Sequence, residues 1–284
     1  KLRNRKIRLL KFIKGNILKV YLDCIPCHIR SAINSAKLLT NDKDLINKTT
    51  KDALLTASKF ESYNDHLMLY HDISDAVKKN IPYGDPYENF KREFNKICIS
   101  ISNSFKKRIA GKKDWFETAL RFCLAGNSID VMQGSKITRS KLISSINDAM
   151  NQNISKRSIE ELKYAIDTAE NILFIGDNAG EIVFDLIFIE FLNEKLSKNG
   201  KIIYVVRGAP ALNDSTMEDA LMVNMQSVAR VITTGSDMPA AYLPLCSDEF
   251  KNYYNLSDLV ISKGQGNLEA LLGEDKNIFF PHFL

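Results

Sequence analysis

Three short stretches gather most of the residues able to do chemistry: Gly176-Asp177-Asn178-Ala179-Gly180-Glu181, Arg207 with Asn213-Asp214, and Lys263-Gly264-Gln265-Gly266-Asn267. Asp177, the Asn178 carbonyl and Asp214 form an oxygen-rich donor set of the kind that holds Mg²⁺ or Mn²⁺. Lys263, Arg207 and the amides of Gly264 to Gly266 suit a phosphate, as a charged pair beside backbone donors. Metal and phosphate together point to phosphoryl chemistry. A bound ion would polarise a phosphoryl oxygen and acidify a water, while the cations offset charge on the leaving group. Taken singly, Asp177 and Asp214 could be helix caps and the glycines ordinary turn residues. Glu181 adds a carboxylate able to act as a general base or to support a ligand. Neither glycine-rich stretch fits the dinucleotide or P-loop spacing.

The elements that would position these residues follow from periodicity. Before residue 170, apolar residues recur at three and four, as in Phe90-Phe94-Ile97-Ile101-Phe105, which predicts six to eight helices. Breaks fall at Asn64-Asp65, between Ile81 and Pro86, at Ala110-Gly111 and at Gln133-Gly134. After residue 170, short apolar runs alternate with helical segments. Runs beginning at Ile172, Ile202, Val228, Leu259 and Ile278 predict five strands in a doubly wound, mainly parallel sheet. Each of the three stretches follows one of these strands, and open α/β sheets bind ligands at that edge. The fold class expected is α/β: an all-helical domain over 1–165, then a Rossmann-like domain over 166–284 that carries the site.

The chain has 284 residues, 45% hydrophobic and 26% charged, with five cysteines. These values exclude disorder and a disulfide scaffold. Eight basic residues precede the first acid, Asp23, and without them acids outnumber bases. The net charge of +5 therefore gives no support for nucleic-acid binding outside that head. No signal peptide is visible, and the longest apolar-rich stretch, Ile182 to Leu192, contains Asp185 and Glu190. A cytoplasmic protein without a membrane partner is expected, with the oligomeric state left open.

Cys24-Ile25-Pro26-Cys27-His28 fits the spacing of haem attachment and the core of a redox motif. Haem attachment needs export, and a redox pair needs a strand-to-helix turn of its own. A zinc site would need two further ligands, and Cys98, Cys123 and Cys246 offer no second pair, so they read as buried thiols. His66 and His71 are five apart and would not share a helical face.

Several motifs also carry a resemblance. Gly-Asp-Asn-Ala-Gly-Glu from Gly176 with Asp185 beyond it, Asn213-Asp214 followed by Glu218-Asp219-Ala220, and Lys-Gly-Gln-Gly-Asn-Leu-Glu from Lys263 are similar to the metal-dependent damage-control phosphatases. The similarity extends to Asp85-Pro86-Tyr87, to Gly126-Asn127 with Asp130, and to the cysteine pair. It implies a divalent metal (Mn, Co, Ni or Mg) on Asp177, Asn178 and Asp214. It implies hydrolysis of phosphate esters of small metabolites, either sugar phosphates or damaged phosphorylated metabolites. Lys263 would be the phosphate contact, and Asn127 and Asp130 would line the pocket. The nucleophile could be a metal-bound water or a carboxylate. Two other readings use the same crevice: a Rossmann-like methyltransferase with an adenosyl cofactor, and a non-catalytic anion-binding protein.

Overall fold

The computed structural model describes residues 19–82, 84–127, 138–198 and 200–281. Its contacts divide the chain into two compact units, 1–88 with 269–275, and 89–268 with 276–284. The change in periodicity near residue 165 marks where strands begin. The compact units part near residue 88 instead, because the helices that follow bury their apolar faces in one core with the sheet.

In the first unit, α1 (Cys24–Leu39), α2 (Lys43–Ala57) and α3 (His66–Asn80) pack on one another. Alanines at the contacts (Ala32, Ala53, Ala57, Ala76) let the helices approach around Leu69 and Ile73. Asp65 caps a helix at the break that the sequence marks, and Asp42 caps another where the sequence marks none. The Asp42 carboxylate accepts from the amides of Asp44 and Leu45, and Asp65 accepts from Met68.

The second unit begins with α4 (Glu88–Ala110), α5 (Trp115–Asn127), α6 (Arg139–Met150) and α7 (Lys156–Thr168). The break at Gln133-Gly134 lies outside the described residues. The sheet comprises β1 (Ile172–Ile175), β2 (Ile202–Val206), β3 (Arg230–Thr233), β4 (Leu259–Ser262) and β5 (Ile278–Phe279), all parallel in the order β3-β2-β1-β4-β5. Every residue of β1 and β4 is buried, as sheets covered on both faces require. Helices α8 (Glu181–Leu196), α9 (Met217–Val223), α10 (Asp248–Leu256) and α11 (Gln265–Leu271) complete the α/β unit. Helix α8 is buried on all sides from Glu181 to Ile189, which explains its nearly unbroken apolar sequence.

Register places the site. Ile175 pairs with Val205 on one side and with Ser262 on the other, so Gly176-Asp177, Val206-Arg207 and Lys263 leave the sheet at one level. The strand order reverses at β1, between β2 and β4. Among the described residues, no helix is long and apolar enough to cross a membrane.

Candidate active site

The loops after β1 and β2 are stitched together by backbone. Asn178 and Asp214 form an antiparallel bridge, the Ala179 amide donates to the Asn213 carbonyl at 2.9 Å, and the Ser215 amide donates to the Asp177 carbonyl at 2.8 Å. The three expected metal ligands, Asp177, Asn178 and Asp214, are thereby brought together from two strand ends. Leu212, two residues before Asp214, holds a left-handed φ of 52°, a strained conformation for a leucine.

Asp177 and Asn178 are half-buried, whereas Asp214, Glu181 and Arg207 lie behind them with almost no exposure. The Asn178 amide nitrogen donates to Asp177 Oδ2 at 3.1 Å and to Glu181 Oε1 at 2.8 Å. With both of its N–H groups directed at carboxylates, Asn178 presents its side-chain oxygen as an acceptor. Glu181, almost fully buried, thus holds the Asn178 side chain in place.

The two cations are turned inward. Arg207 Nε donates to Asp214 Oδ2 at 2.6 Å, and its Nη1 donates to Asn267 Oδ1 at 3.2 Å. Its Nη2 is buried without a hydrogen bond, 3.6 Å from Asp177 Oδ1. Lys263 is fully buried; its Nζ donates to Asp185 Oδ1 at 2.6 Å and lies 3.1 Å from Glu181 Oε2. That second contact is an ion pair without hydrogen-bond alignment, because Glu181 Oε2 has no hydrogen-bond partner. Gly264 carries a φ of +91°, and a Cβ there would collide with the Asp177 carboxylate. Glycine at this position lets the turn after β4 close over Asp177.

Among the described residues, Asp177, Glu181, Asp185, Asp214 and Asp219 face Arg207, Lys263 and Lys91, an excess of two acids. The pKa values show the crowding. Burial, then the Asp214 and Glu181 charges, push Asp177 well above the usual carboxylate range. Burial likewise raises Glu181 and Asp214, against the lowering pull of Lys263 and Arg207 respectively. Burial works against the charged form of Lys263, but Asp185 and its neighbours raise it well above its ordinary value.

Several residues of this cluster received no role from the sequence, although Asp185, Asp219 and Asn267 stand within the motifs it singled out. Asp185, on α8, also accepts from the Tyr204 hydroxyl at 2.7 Å and from the Cys123 thiol at 3.1 Å. Asn267 bonds to Arg207, the Ala241 amide and the Gly176 and Lys263 carbonyls. From α4, Asn95 accepts from the Gly180 amide at 2.6 Å and donates to Asp219 at 2.7 Å, while Lys91 pairs with Asp219 at 3.2 Å. Asp219 also caps α9 by accepting from the Thr216 amide. The signal for Lys91 and Asn95 was a polar pair four apart, in register with buried Cys98 on the apolar face of α4. Gly126, near the end of α5, lies against Glu181: a Cβ there would sit 3.4 Å from the Glu181 Cα. Asn127 follows it as the last residue of α5, and Asp130 lies outside the described residues. Cys98, Cys123 and Cys246 are buried free thiols.

The comparisons with known proteins bear on this arrangement directly. The profile of the damage-control phosphatase ARMT1-like domain matches residues 20–280. The chain belongs to that family. It is 33% identical to an uncharacterized protein of Methanocaldococcus jannaschii, covering 96% of this chain and 90% of that protein. A damage-control phosphatase of Pyrococcus horikoshii is 30% identical, covering 93% of this chain and 90% of the relative. One from Archaeoglobus fulgidus is 26% identical over 89% and 88%. The crystal structure of a DUF89 family protein from P. horikoshii superposes with a TM-score of 0.82 at 28% identity, covering 93% of this chain and 90% of that one. Membership in this family supports a phosphatase and favours that reading over a methyltransferase or a passive anion binder.

Proposed function

We propose that this protein is a divalent-metal-dependent phosphatase that hydrolyses phosphate monoesters of small metabolites, sugar phosphates or damaged phosphorylated metabolites among them. The observation that carries this reading is the acid excess at the end of β1. Two surplus carboxylates in a largely buried cluster raise one another's pKa values, and one divalent cation offsets that surplus. The donor set fits such an ion: carboxylates from Asp177 and Asp214 and the outward oxygen of Asn178, all hard oxygen ligands suited to Mg²⁺ or Mn²⁺, with Co²⁺ and Ni²⁺ as further candidates. When bound, the metal supplies Lewis-acid polarisation of a phosphoryl oxygen and acidification of water.

The chain's own residues do the rest. Glu181, pinned by Lys263, fixes the Asn178 amide and so the direction of its oxygen. Arg207 holds Asp214 and keeps Nη2 as an unused donor beside Asp177, suited to a phosphoryl oxygen. Lys263, committed to Asp185 and Glu181, contributes to phosphate binding through its charge. Gly264 and Gly266 let the turn into α11 pack directly against the Asp177 carboxylate and the Pro239 carbonyl, which keeps that turn close to the proposed ligands. Water adds to phosphorus, the P–O ester bond breaks, and the released alcohol carries away a proton.

The test is phosphate release from an aryl phosphate and a panel of sugar phosphates. It is run in chelator and then with each divalent metal restored, on the wild type, Asp177→Ala and Asp214→Ala. Metal-dependent release that disappears in both variants, with unchanged circular dichroism, supports the proposal. Equal release in chelator, or full activity in either variant, overturns it.

A further inference from the structure

The cysteine pair near the start of the chain takes no part in the phosphatase cluster, yet the first compact unit builds a second group of ligands around it. Cys24 and His28 are one turn apart on α1 and share a face, and His66 opens α3. Sulfur of Cys24 and a ring nitrogen from each of His28 and His66 all lie within 4.8 Å of one another. Ligands of one tetrahedral zinc ion are about 3.3–3.8 Å apart when Zn–N is near 2.0 Å and Zn–S near 2.3 Å, so a small contraction would enclose an ion.

The hydrogen bonding of the two imidazoles points the same way. His66 Nε2 lies 3.3 Å from Glu269 Oε2, whereas its Nδ1 is buried without a partner. The His28 ring hydrogen-bonds the backbone of His66, and its Nε2 is likewise buried without a partner. Each ring thus has one nitrogen anchored and one withdrawn from water and unsatisfied. A carboxylate on the far nitrogen of a histidine is the arrangement that orients metal-binding imidazoles. Burial, with the His66 ring beside it, lowers His28 to about 4, which keeps it in the neutral form that ligates. The rings lie 6.0 Å apart and nearly parallel, with Tyr70 edge-on to His28 at 5.3 Å.

We propose that Cys24, His28 and His66 form a second metal site, for Zn²⁺, with Glu269 orienting His66 and the fourth position open to water. One thiolate with two imidazoles selects a borderline-soft transition ion over Mg²⁺ or Mn²⁺. The sequence reading looked for the missing ligands among the other cysteines, but they are histidines, one on the same helix and one 38 positions further along the chain. Cys27 is exposed and lies outside the three-residue group, so it is not a ligand.

The site is tested in the full chain carrying Asp177→Ala and Asp214→Ala, so that the result is independent of the phosphatase reading. Metal-stripped protein is loaded with Zn²⁺ or Co²⁺ and desalted. The expected result is one equivalent of retained metal per chain. The Co²⁺ form should show tetrahedral visible bands and a near-ultraviolet thiolate band. Cys24→Ser removes that band and the retained metal, and Cys27→Ser keeps both. Glu269→Gln weakens Zn²⁺ affinity by about 10- to 100-fold. Circular dichroism confirms the fold of each variant, and Cys24→Ser carries the test should a histidine variant misfold. Failure to retain metal, Co²⁺ binding without a sulfur band, or unchanged retention in Cys24→Ser overturns the proposal.

Discussion

Asn267 is where the four strand ends around the site meet, and replacing it tests the physical account of the site more sharply than replacing a ligand. Its side chain is fully buried. Oδ1 accepts from Arg207 Nη1 at 3.2 Å, after β2, and from the Ala241 amide at 2.7 Å, beyond β3. Nδ2 donates to the carbonyls of Gly176 at 3.2 Å, after β1, and Lys263 at 2.6 Å, after β4. Asn267→Ala deletes all four bonds inside a site with little access to water. At about 1 kcal/mol net for each bond, the loss of stability comes to about 3–4 kcal/mol. Asn267→Asp is the sharper variant, because it has nearly the same shape. It keeps both acceptors, turns an anionic oxygen toward two carbonyls and adds an acid where acids are already in excess. Equilibrium urea unfolding should show the loss in both variants, as a midpoint lowered by about 1 M for a slope of about 3 kcal/mol per M. Phosphate release should fall at least about tenfold, since Arg207 loses one of its anchors. A loss below about 1 kcal/mol in Asn267→Ala, with activity retained, would refute the reasoning.

Gly264→Ala forces a side chain into a φ of +91° and into the Asp177 carboxylate, so turnover should drop sharply while the far-ultraviolet spectrum stays native; wild-type turnover would contradict the placement of that turn. Asp177, Glu181 and Asp214 have folded pKa values raised above their unfolded ones, so they stabilise the metal-free protein fully below about pH 4 and progressively less as pH rises through the folded values. A divalent metal binds the ionised forms, so the rise in melting temperature on adding Mn²⁺ should be larger at about pH 8 than at about pH 5.5; a rise that shrinks with pH would reverse the sign. In metal-free protein an acid excess faces any incoming phosphate, and two like charges 4 Å apart repel by about 4 kcal/mol at an effective dielectric constant near 20. Inorganic phosphate should therefore give no calorimetric binding signal without metal and a measurable one with it.

The sheet was legible because fully buried parallel strands read as apolar runs separated by helices, and five such runs became five parallel strands. The site's position followed from the same pattern, since Asp177, Arg207 and Lys263 each come directly after a strand. Which way the side chains turn was not legible. Arg207 and Lys263 read as phosphate contacts because they stand at strand ends beside glycine-rich backbone amides, but here each is met by a carboxylate, Asp214 seven residues after Arg207 and Asp185 on the helix after β1. Periodicity cannot show such pairings, because they depend on helices packing over the sheet. The same holds for Lys91 and Asn95, whose partner Asp219 lies more than 120 residues away along the chain.

Among the described residues, both cations of the crevice are engaged by carboxylates, and this bears on what a metal would do there. An arginine or lysine free to swing could meet phosphate alone, and metal would then add only rate. Here Arg207 holds Asp214 in place, Lys263 holds Glu181 and Asp185, and Glu181 in turn sets the Asn178 amide. The cations therefore fix the geometry of the acids, and on the proposed reading an ion held by those acids would supply most of the attraction for phosphate, with Arg207 Nη2 as an additional donor. Such a design favours rigidity over adaptability, consistent with the Gly180 amide tied to Asn95 at 2.6 Å and the strained Leu212 held two residues from Asp214. Discrimination among phosphate esters then falls to whatever meets the alcohol portion beyond the phosphate, and variants there should change substrate preference while leaving metal affinity unchanged.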